Sequence, residues 1–304
     1  MTIEIRPVSG YADLERWTAT RNEVHSDDPD DPGMLALIRA TELDRVDLIA
    51  FEDGEVLGTG LLAGDPESAE ASHPYVEVTV PAQHRGRGVG AALLRELSER
   101  ARSLGKEGLE CEARAHDGYS IAFLERRGFV ELGRAAKYAL DLSEYEGPDP
   151  SQTEGVELAM LADRPDLLAG MYEVAKATYP EAGGYQAKQA ESVQAWQLYH
   201  LGSPGTALDM TPIAIADGDV IGFATMILQT EGRTAEHRMA AVRADWRRRG
   251  IATLLLHAQL GAAKDAGVET VIAWGRDGHD GSTYGAKLGF EPCAETISFR
   301  GPLQ

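Results

Sequence analysis

The chain has 304 residues, 43% of them hydrophobic, which is enough to bury a sizeable core and to form two domains of about 150 residues each. Its formal net charge of −20 opposes broad contact with a phosphate backbone, so we expect no nucleic-acid partner. The N-terminal residues are charged and no apolar run approaches about 18 residues, so we expect a cytoplasmic protein without a membrane span.

The first half of the sequence predicts a mixed α/β domain. Apolar periodicity and turn residues give, in chain order, a strand (2–8), two helices (10–25 and 31–44), a hairpin (46–62), a strand (75–80), a long helix (90–105), a strand (109–114), a short helix and the dipeptide Gly128-Phe129. The hairpin turns at Asp53 and Gly54, and a glycine suited to a left-handed cap ends the long helix.

The second half repeats this order of elements. It gives a strand (155–161), two helices (164–179 and 185–201), a hairpin (212–228), a strand (236–242), a long helix (252–267), a strand (270–275), a short helix and Gly289-Phe290. Residues 144–155 are rich in Pro, Gly and acidic residues and predict a linker. We therefore predict an N-terminal domain of 1–143 and a C-terminal domain of 156–304, each built around a central sheet.

A loop rich in glycine and arginine precedes the long helix in both halves. Residues 80–94 (VPAQHRGRGVGAALL) and 242–256 (VRADWRRRGIATLLL) align without a gap and share the pattern R-x-x-G-x-[GA]. Glycine lets the backbone approach a ligand closely, and a helix that begins there presents free N–H groups and a partial positive charge. The arginines add charge-assisted hydrogen bonds, so both loops predict an anion site that suits a diphosphate.

Other interpretations of the loop are possible. No Lys-Ser or Lys-Thr pair follows the glycines, which excludes a Walker A loop. Gly86, Gly88 and Ala91 fit the dinucleotide pattern G-x-G-x-x-A, and Glu110 follows about 20 residues later. The second copy has Arg248 in place of the first glycine, which argues against this pattern. A glycine turn without a ligand also stays open.

The repeated order of strand, R-x-x-G-x-[GA], long helix, strand, short helix and Gly-Phe resembles the GCN5-related N-acetyltransferase (GNAT) superfamily, in the tandem two-domain form found in mycothiol synthase. The resemblance covers essentially the whole chain and implies two tandem acyl-CoA N-acyltransferase domains of mixed α/β fold. It implies an acetyl-CoA site at each loop, with the pantetheine arm along the preceding strand. The two cysteines, Cys111 and Cys293, are far apart in sequence and do not suggest a metal site, so we expect none. The CoA-binding residues implied are Val78, Thr79, Val80, Arg85, Gly86, Arg87, Gly88, Val89, Gly90 and Ala91, and then Ala240, Ala241, Val242, Arg247, Arg248, Arg249, Gly250, Ile251, Ala252 and Thr253.

The resemblance also implies a glutamate base on the strand before the loop and a tyrosine acid four residues before Gly-Phe. Strand alternation places Glu77 on the face opposite Val76 and Val78, as expected of such a base. Leu124 stands where the acid is expected, so the first domain lacks it.

The second domain offers a different pair. Met239 aligns with Glu77, and alternation places His237 on the same face one pleat earlier, where its unperturbed pKa suits a base. Tyr284 lies next to the expected acid position, which is Gly285. We therefore predict that the second domain is catalytic and that the first is structural or holds CoA.

The resulting expectation is an N-acetyltransferase, monomeric or homodimeric, that transfers acetyl from acetyl-CoA directly to a primary amine of a small molecule. A sensor or scaffold that binds acetyl-CoA without turnover is an alternative from a different class. An oxidoreductase with a dinucleotide at Gly86 to Ala91 is a further alternative. No motif identifies the acceptor.

Overall fold

The computed structural model describes residues 3–26, 29–41, 45–63, 72–147, 155–182, 192–202, 205–229, 232–276 and 288–304. The chain divides into two compact units. The first unit comprises Met1–Arg134 together with Glu295–Gln304, and the second comprises Ala135–Ala294. No helix in the described ranges has the length and hydropathy needed to cross a bilayer.

The first unit is a mixed sheet with helices on both faces. Its elements are β1 (Glu4–Pro7), α1 (Gly10–Val24), α2 (Pro32–Thr41), β2 (Val46–Glu52), β3 (Glu55–Ala63), β4 (Tyr75–Thr79), α3 (Val89–Ser103), β5 (Gly108–Arg114), α4 (Gly118–Glu125) and most of β12 (Glu291–Pro302). The strand order is β1-β2-β3-β4-β5-β12. The pair β4–β5 is parallel and the other pairs are antiparallel.

Two helices cover the two faces of this sheet. On α3 the apolar residues recur at helical spacing, and Leu93, Leu94 and Leu97 are buried against the strands. On the other face, Trp17 of α1 is 1% exposed, and its indole N–H donates to the carbonyl oxygen of Gly60 at 3.3 Å. The strand β4 therefore has one face toward α3 and the other toward α1.

The second unit repeats this architecture. Its elements are most of β6 (Val130–Asp141), β7 (Glu157–Met160), α5 (Leu168–Ala182), α6 (Val193–Leu201), β8 (Pro212–Ala216), β9 (Asp219–Leu228), β10 (Thr234–Val242), α7 (Ile251–Asp265) and β11 (Thr270–Arg276). The strand order is β7-β8-β9-β10-β11-β6, and β10–β11 is the parallel pair. Helix α7 packs on one face through Leu255 and Leu260, and α5 and α6 pack on the other through Met171 and Trp196.

The predicted fold class, two tandem mixed α/β domains, is confirmed by these two units. The division of the chain differs from the predicted bounds of 1–143 and 156–304, because the last strand of each sheet comes from the other half of the sequence. In the first unit β12 pairs with β5 from Thr296 to Pro302, and in the second β6 pairs with β11 from Ala135 to Asp141. Residues 148–154 of the predicted linker lie outside the described residues.

Candidate functional site

The two glycine and arginine loops have nearly the same backbone conformation. Each begins with a 3-10 turn, at 82–84 and 244–246, and ends at a left-handed glycine that caps the long helix. The dihedral angles are φ 88° and ψ −3° at Gly88, and φ 82° and ψ 2° at Gly250. Two residues earlier, Gly86 has φ 76° and Arg248 has φ 60°. The second loop thus keeps the conformation of the first although an arginine occupies the glycine position.

The first arginine of each motif holds the loop against the preceding strand. The Nε–H group of Arg85 donates to the carbonyl oxygen of Val80 at 3.2 Å, and that of Arg247 donates to Val242 at 3.1 Å. A second group of Arg85, Nη2, lies 3.5 Å from Oδ2 of Asp117, which caps α4. Both arginines are predicted to bind the anion, and in the structure part of each guanidinium fixes the shape of the loop.

The start of each long helix suits an anion. The first N–H groups of a helix have no acceptor within the helix, and Gly88 and Gly250 have no side chain with which to cap them. The helix dipole adds partial positive charge at this end. A Cβ atom at either glycine would meet no atom within 4 Å, so the space beside the backbone is open. This geometry fits a diphosphate held by backbone amides.

Other side chains surround the loops. The N–H group of Gly86 donates to the hydroxyl of Tyr119 at 3.1 Å, and the guanidinium of Arg85 lies 5.1 Å from the centre of that ring. Arg87 forms an ion pair with Glu52, and Arg249 lies 4.8 Å from the ring centre of Trp246. A ligand oxygen at the position of the Tyr119 hydroxyl can therefore accept a hydrogen bond from the N–H group of Gly86.

The strand before each loop leaves its parallel neighbour. In the first unit the β4–β5 pairing is at Tyr75 with Glu110, although β4 continues to Thr79. In the second, the β10–β11 pairing ends at His237, although β10 continues to Val242. The predicted pantetheine segments, 78–80 and 240–242, lie past these last pairs. Their backbone groups on this side are thus placed to pair with an extended ligand.

Glu77 lies on the α1 face of β4, as the alternation predicts. Its Oε1 atom accepts from Nε of Arg21 at 3.1 Å and from the hydroxyl of Thr79 at 3.1 Å. The side chain is 17% exposed. The Oε2 atom has no hydrogen-bond partner in the described part of the chain. A carboxylate that is held by one oxygen and open at the other can take a proton from a ligand.

The corresponding place in the second unit is apolar. Met239 packs against the cluster that contains Met171, Trp196 and Phe223. The prediction that His237 shares this face is wrong, because the β10–β9 register shifts between His237 and Met239.

The bulge turns His237 toward α7. Its Nδ1 atom lies 2.7 Å from Oε1 of Gln259, a fully buried residue of that helix. Burial lowers the pKa of His237, and the hydrogen bond to Gln259 opposes this only partly. The imidazole is therefore placed to support β10 on α7, away from the face that carries Met239.

Comparison with known proteins agrees with this geometry. The family model described as "Acetyltransferase (GNAT) family" matches residues 11–129 and 168–290. The chain belongs to the acetyltransferase (GNAT) family. It is therefore an enzyme of the acyltransferase type. No curated protein sequence matches the chain significantly.

Several solved structures share the fold over nearly the whole chain. A tandem GNAT protein from the clavulanic acid biosynthesis pathway is 18% identical, with a TM-score of 0.77 over 100% of this chain and 99% of its own. A GCN5-related N-acetyltransferase from Sphaerobacter thermophilus is 18% identical, with a TM-score of 0.76 over 99% and 96%. The N-myristoyltransferase of Saccharomyces cerevisiae, solved with myristoyl-CoA, is 12% identical, with a TM-score of 0.66 over 100% and 80%.

Leu124, the residue at the position where the resemblance implies an acid, is buried in the apolar core on the α3 side. Tyr284, the predicted acid of the second unit, lies outside the described residues.

The side chains around Glu77 include the hydroxyl of Thr79, and Arg21 and His25 from the end of α1. Alternation along β4 places Thr79 on the face of Glu77, as predicted, although its predicted role was to bind CoA. Arg21 and His25 were not predicted from the sequence. No local signal connects α1 to β4.

Proposed function

We propose that this GNAT protein is an acetyl-CoA-dependent N-acetyltransferase that acetylates a primary amine of a small molecule in its first unit. The observation that carries the proposal is the carboxylate of Glu77. It stands on the strand that leaves its parallel neighbour just before the phosphate loop, with one oxygen held and the other open. The sequence had favoured the second unit, and the apolar surroundings of Met239 argue against that choice.

A base is needed because amines are protonated at neutral pH. An amine with a pKa of about 10.4 is neutral in about one molecule in 2,500 at pH 7, which costs roughly 4 to 5 kcal/mol. In the proposed step the ammonium form first loses a proton to solvent, and the neutral nitrogen then attacks the thioester carbonyl. The C–S bond breaks, and Glu77 receives the second proton, which nitrogen loses as the amide forms. The sulfur leaves as the CoA thiolate, which is a tolerable leaving group because a thiol has a pKa of about 8.5.

The second unit, in this proposal, holds CoA without transferring its acyl group. Its loop repeats the backbone conformation of the first, including the arginine that ties it to the preceding strand. The first turn of α7 therefore offers the same uncapped amides to a diphosphate. What it lacks is a carboxylate at the place of Glu77.

Substitution of the two cap glycines tests the proposal. Gly88→Asp and Gly250→Asp put a negative charge where the diphosphate is expected, and Gly88→Ala carries the same backbone strain without the charge. Titration calorimetry with acetyl-CoA measures binding, with NAD(H) as the control ligand. Release of CoA thiol is measured with polyamines, aminoglycosides, amino acids, thiol-sugar amines and peptide N-termini.

We expect each aspartate variant to lose one binding site, the double variant to lose both, and turnover to disappear only with Gly88→Asp. Wild-type protein that binds NAD(H) and no acetyl-CoA would overturn the proposal. Binding without turnover of any amine would instead favour a sensor or scaffold. Loss of turnover only with Gly250→Asp would assign catalysis to the second unit.

A further inference from the structure

The hydrogen bonds at Glu77 have a defined direction. A carboxylate can only accept, so the single hydroxyl proton of Thr79 points to Oε1 of Glu77, at 3.1 Å. Thr79 is 2% exposed, which shields this contact from water. The same oxygen receives the Nε–H group of Arg21, which lies at the same distance, 3.1 Å, from Oδ2 of Asp30. Both donors therefore act on one oxygen of the carboxylate.

His25 completes the surroundings of the hydroxyl. Its Nε2 atom lies 3.4 Å from Oγ1 of Thr79, and Nδ1 lies 3.5 Å from Nη2 of Arg114. The proton of Thr79 already points to Glu77, so Nε2 is the donor to Oγ1. Arginine only donates, so Nδ1 is the acceptor. From these two contacts we expect the ring to carry a proton on Nε2 and a lone pair on Nδ1.

We propose that Thr79 is a positioning residue for the transfer reaction: with His25 behind it, its hydroxyl fixes the carboxylate of Glu77 so that Oε2 faces the acceptor amine. The inference rests on the proposed function, in which Glu77 is the base. The terminal torsion of a glutamate is broad, so an untethered carboxylate samples many orientations. Two donors on Oε1 remove this freedom, and correct orientation is a large part of what an enzyme supplies to a proton transfer.

The chain offers a matched control one strand away. Thr59 is the cross-strand partner of Thr79 and is 1% exposed. Its hydroxyl has no hydrogen-bond partner within the described residues. Thr59→Val and Thr79→Val thus make the same chemical change in neighbouring buried positions, and they differ in whether the lost hydroxyl contacts Glu77.

The kinetic test compares Thr79→Val, Thr79→Ser and Thr59→Val with the wild type, using the best acceptor of the amine panel. Loss of a hydrogen bond to a charged group changes an equilibrium or rate constant by roughly 10- to 100-fold. We therefore expect kcat to fall by about that factor in Thr79→Val. The KM for acetyl-CoA should stay within about twofold, since the hydroxyl acts on the base. Serine should restore most of kcat, and Thr59→Val should match the wild type.

A second measurement does not depend on turnover. In protein labelled with 15N-histidine, the His25 signals are assigned by their absence in His25→Gln. We expect a pyrrole-type resonance for Nε2 and a pyridine-type resonance for Nδ1.

The outcomes separate the two claims. An active wild type with unchanged kcat in Thr79→Val would overturn this inference alone, as would a proton on Nδ1 of His25. A fall in kcat that serine does not rescue would also overturn it, because that pattern indicates a packing role. A wild type that acetylates no amine would overturn the proposed function and, with it, the role of Thr79, even where the predicted tautomer is seen.

Discussion

Arg248 allows a direct test of the loop conformation. It is exposed and has φ 60°, a left-handed backbone conformation that its counterpart Gly86 adopts without strain. For a residue with a Cβ atom this conformation costs about 1 to 2 kcal/mol. Glycine loses more backbone freedom on folding than a residue with a side chain does. This entropic cost offsets roughly 0.5 to 1 kcal/mol of the relieved strain. We therefore expect Arg248→Gly to stabilise the second unit by about 0.5 to 1 kcal/mol.

The assay is chemical and thermal unfolding of three proteins. Arg248→Gly removes both the side chain and the strain, whereas Arg248→Ala removes the side chain and keeps the Cβ atom in the left-handed region. A gain of about 0.5 to 1 kcal/mol corresponds to a rise in Tm of roughly 1 to 4 °C for a unit of this size. Only the glycine variant should gain this stability. Equal stability of the alanine and glycine variants would show that charge, and not backbone strain, determines the effect, and would refute the reasoning.

Three further predictions concern packing, acid stability and the bulge. Gly222→Ala should destabilise the second unit by about 1 to 3 kcal/mol in urea unfolding, because the new Cβ would lie 2.9 Å from the carbonyl oxygen of Ala241; a neutral effect would contradict this. The hydrogen bond from Arg6 lowers the pKa of Asp13 from its ordinary value of 3.8 to about 2. The stability that Asp13 contributes is therefore fully present above pH 3.8 and is lost as the pH falls toward about 2. Asp13→Asn should therefore show a shallower loss of unfolding free energy across that window, and parallel curves would argue against it. His237→Gln should change kcat by no more than about twofold and leave its pH dependence unchanged, because the bulge turns His237 away from the face that carries Met239. Loss of the acidic limb of the pH–rate profile in this variant would contradict the prediction.

The backbone conformation of the two glycine and arginine loops was predictable because the information for it is local. The left-handed positions of Gly88 and Gly250, and the helix that begins after each, follow from glycine and from the apolar run beside it. The face of Glu77 followed from alternation along a regular strand. Arg248 shows the limit of this reasoning, since an arginine has taken a backbone conformation that its sequence gives no reason to expect.

The site of the second unit was not predictable in the same way. One extra residue at the bulge near Arg238 reverses which side chains face α7, so strict alternation gave the wrong face for His237. The cluster at Glu77 was incomplete for another reason. Arg21 and His25 reach β4 from α1, more than 50 residues earlier in the chain, and such contacts depend on packing rather than on spacing.

The origin of the last strand in each sheet has a consequence for synthesis of the protein. A ribosome that has released the first 143 residues has not yet made Glu295–Gln304, which pair with β5 and complete the first unit. The edge of β5 therefore stays uncovered until β12 has been translated. The strand β6, in contrast, leaves the ribosome before the unit to which it belongs. Expression of either half alone, cut within 144–155, would yield a sheet that lacks its own edge strand and carries that of the other.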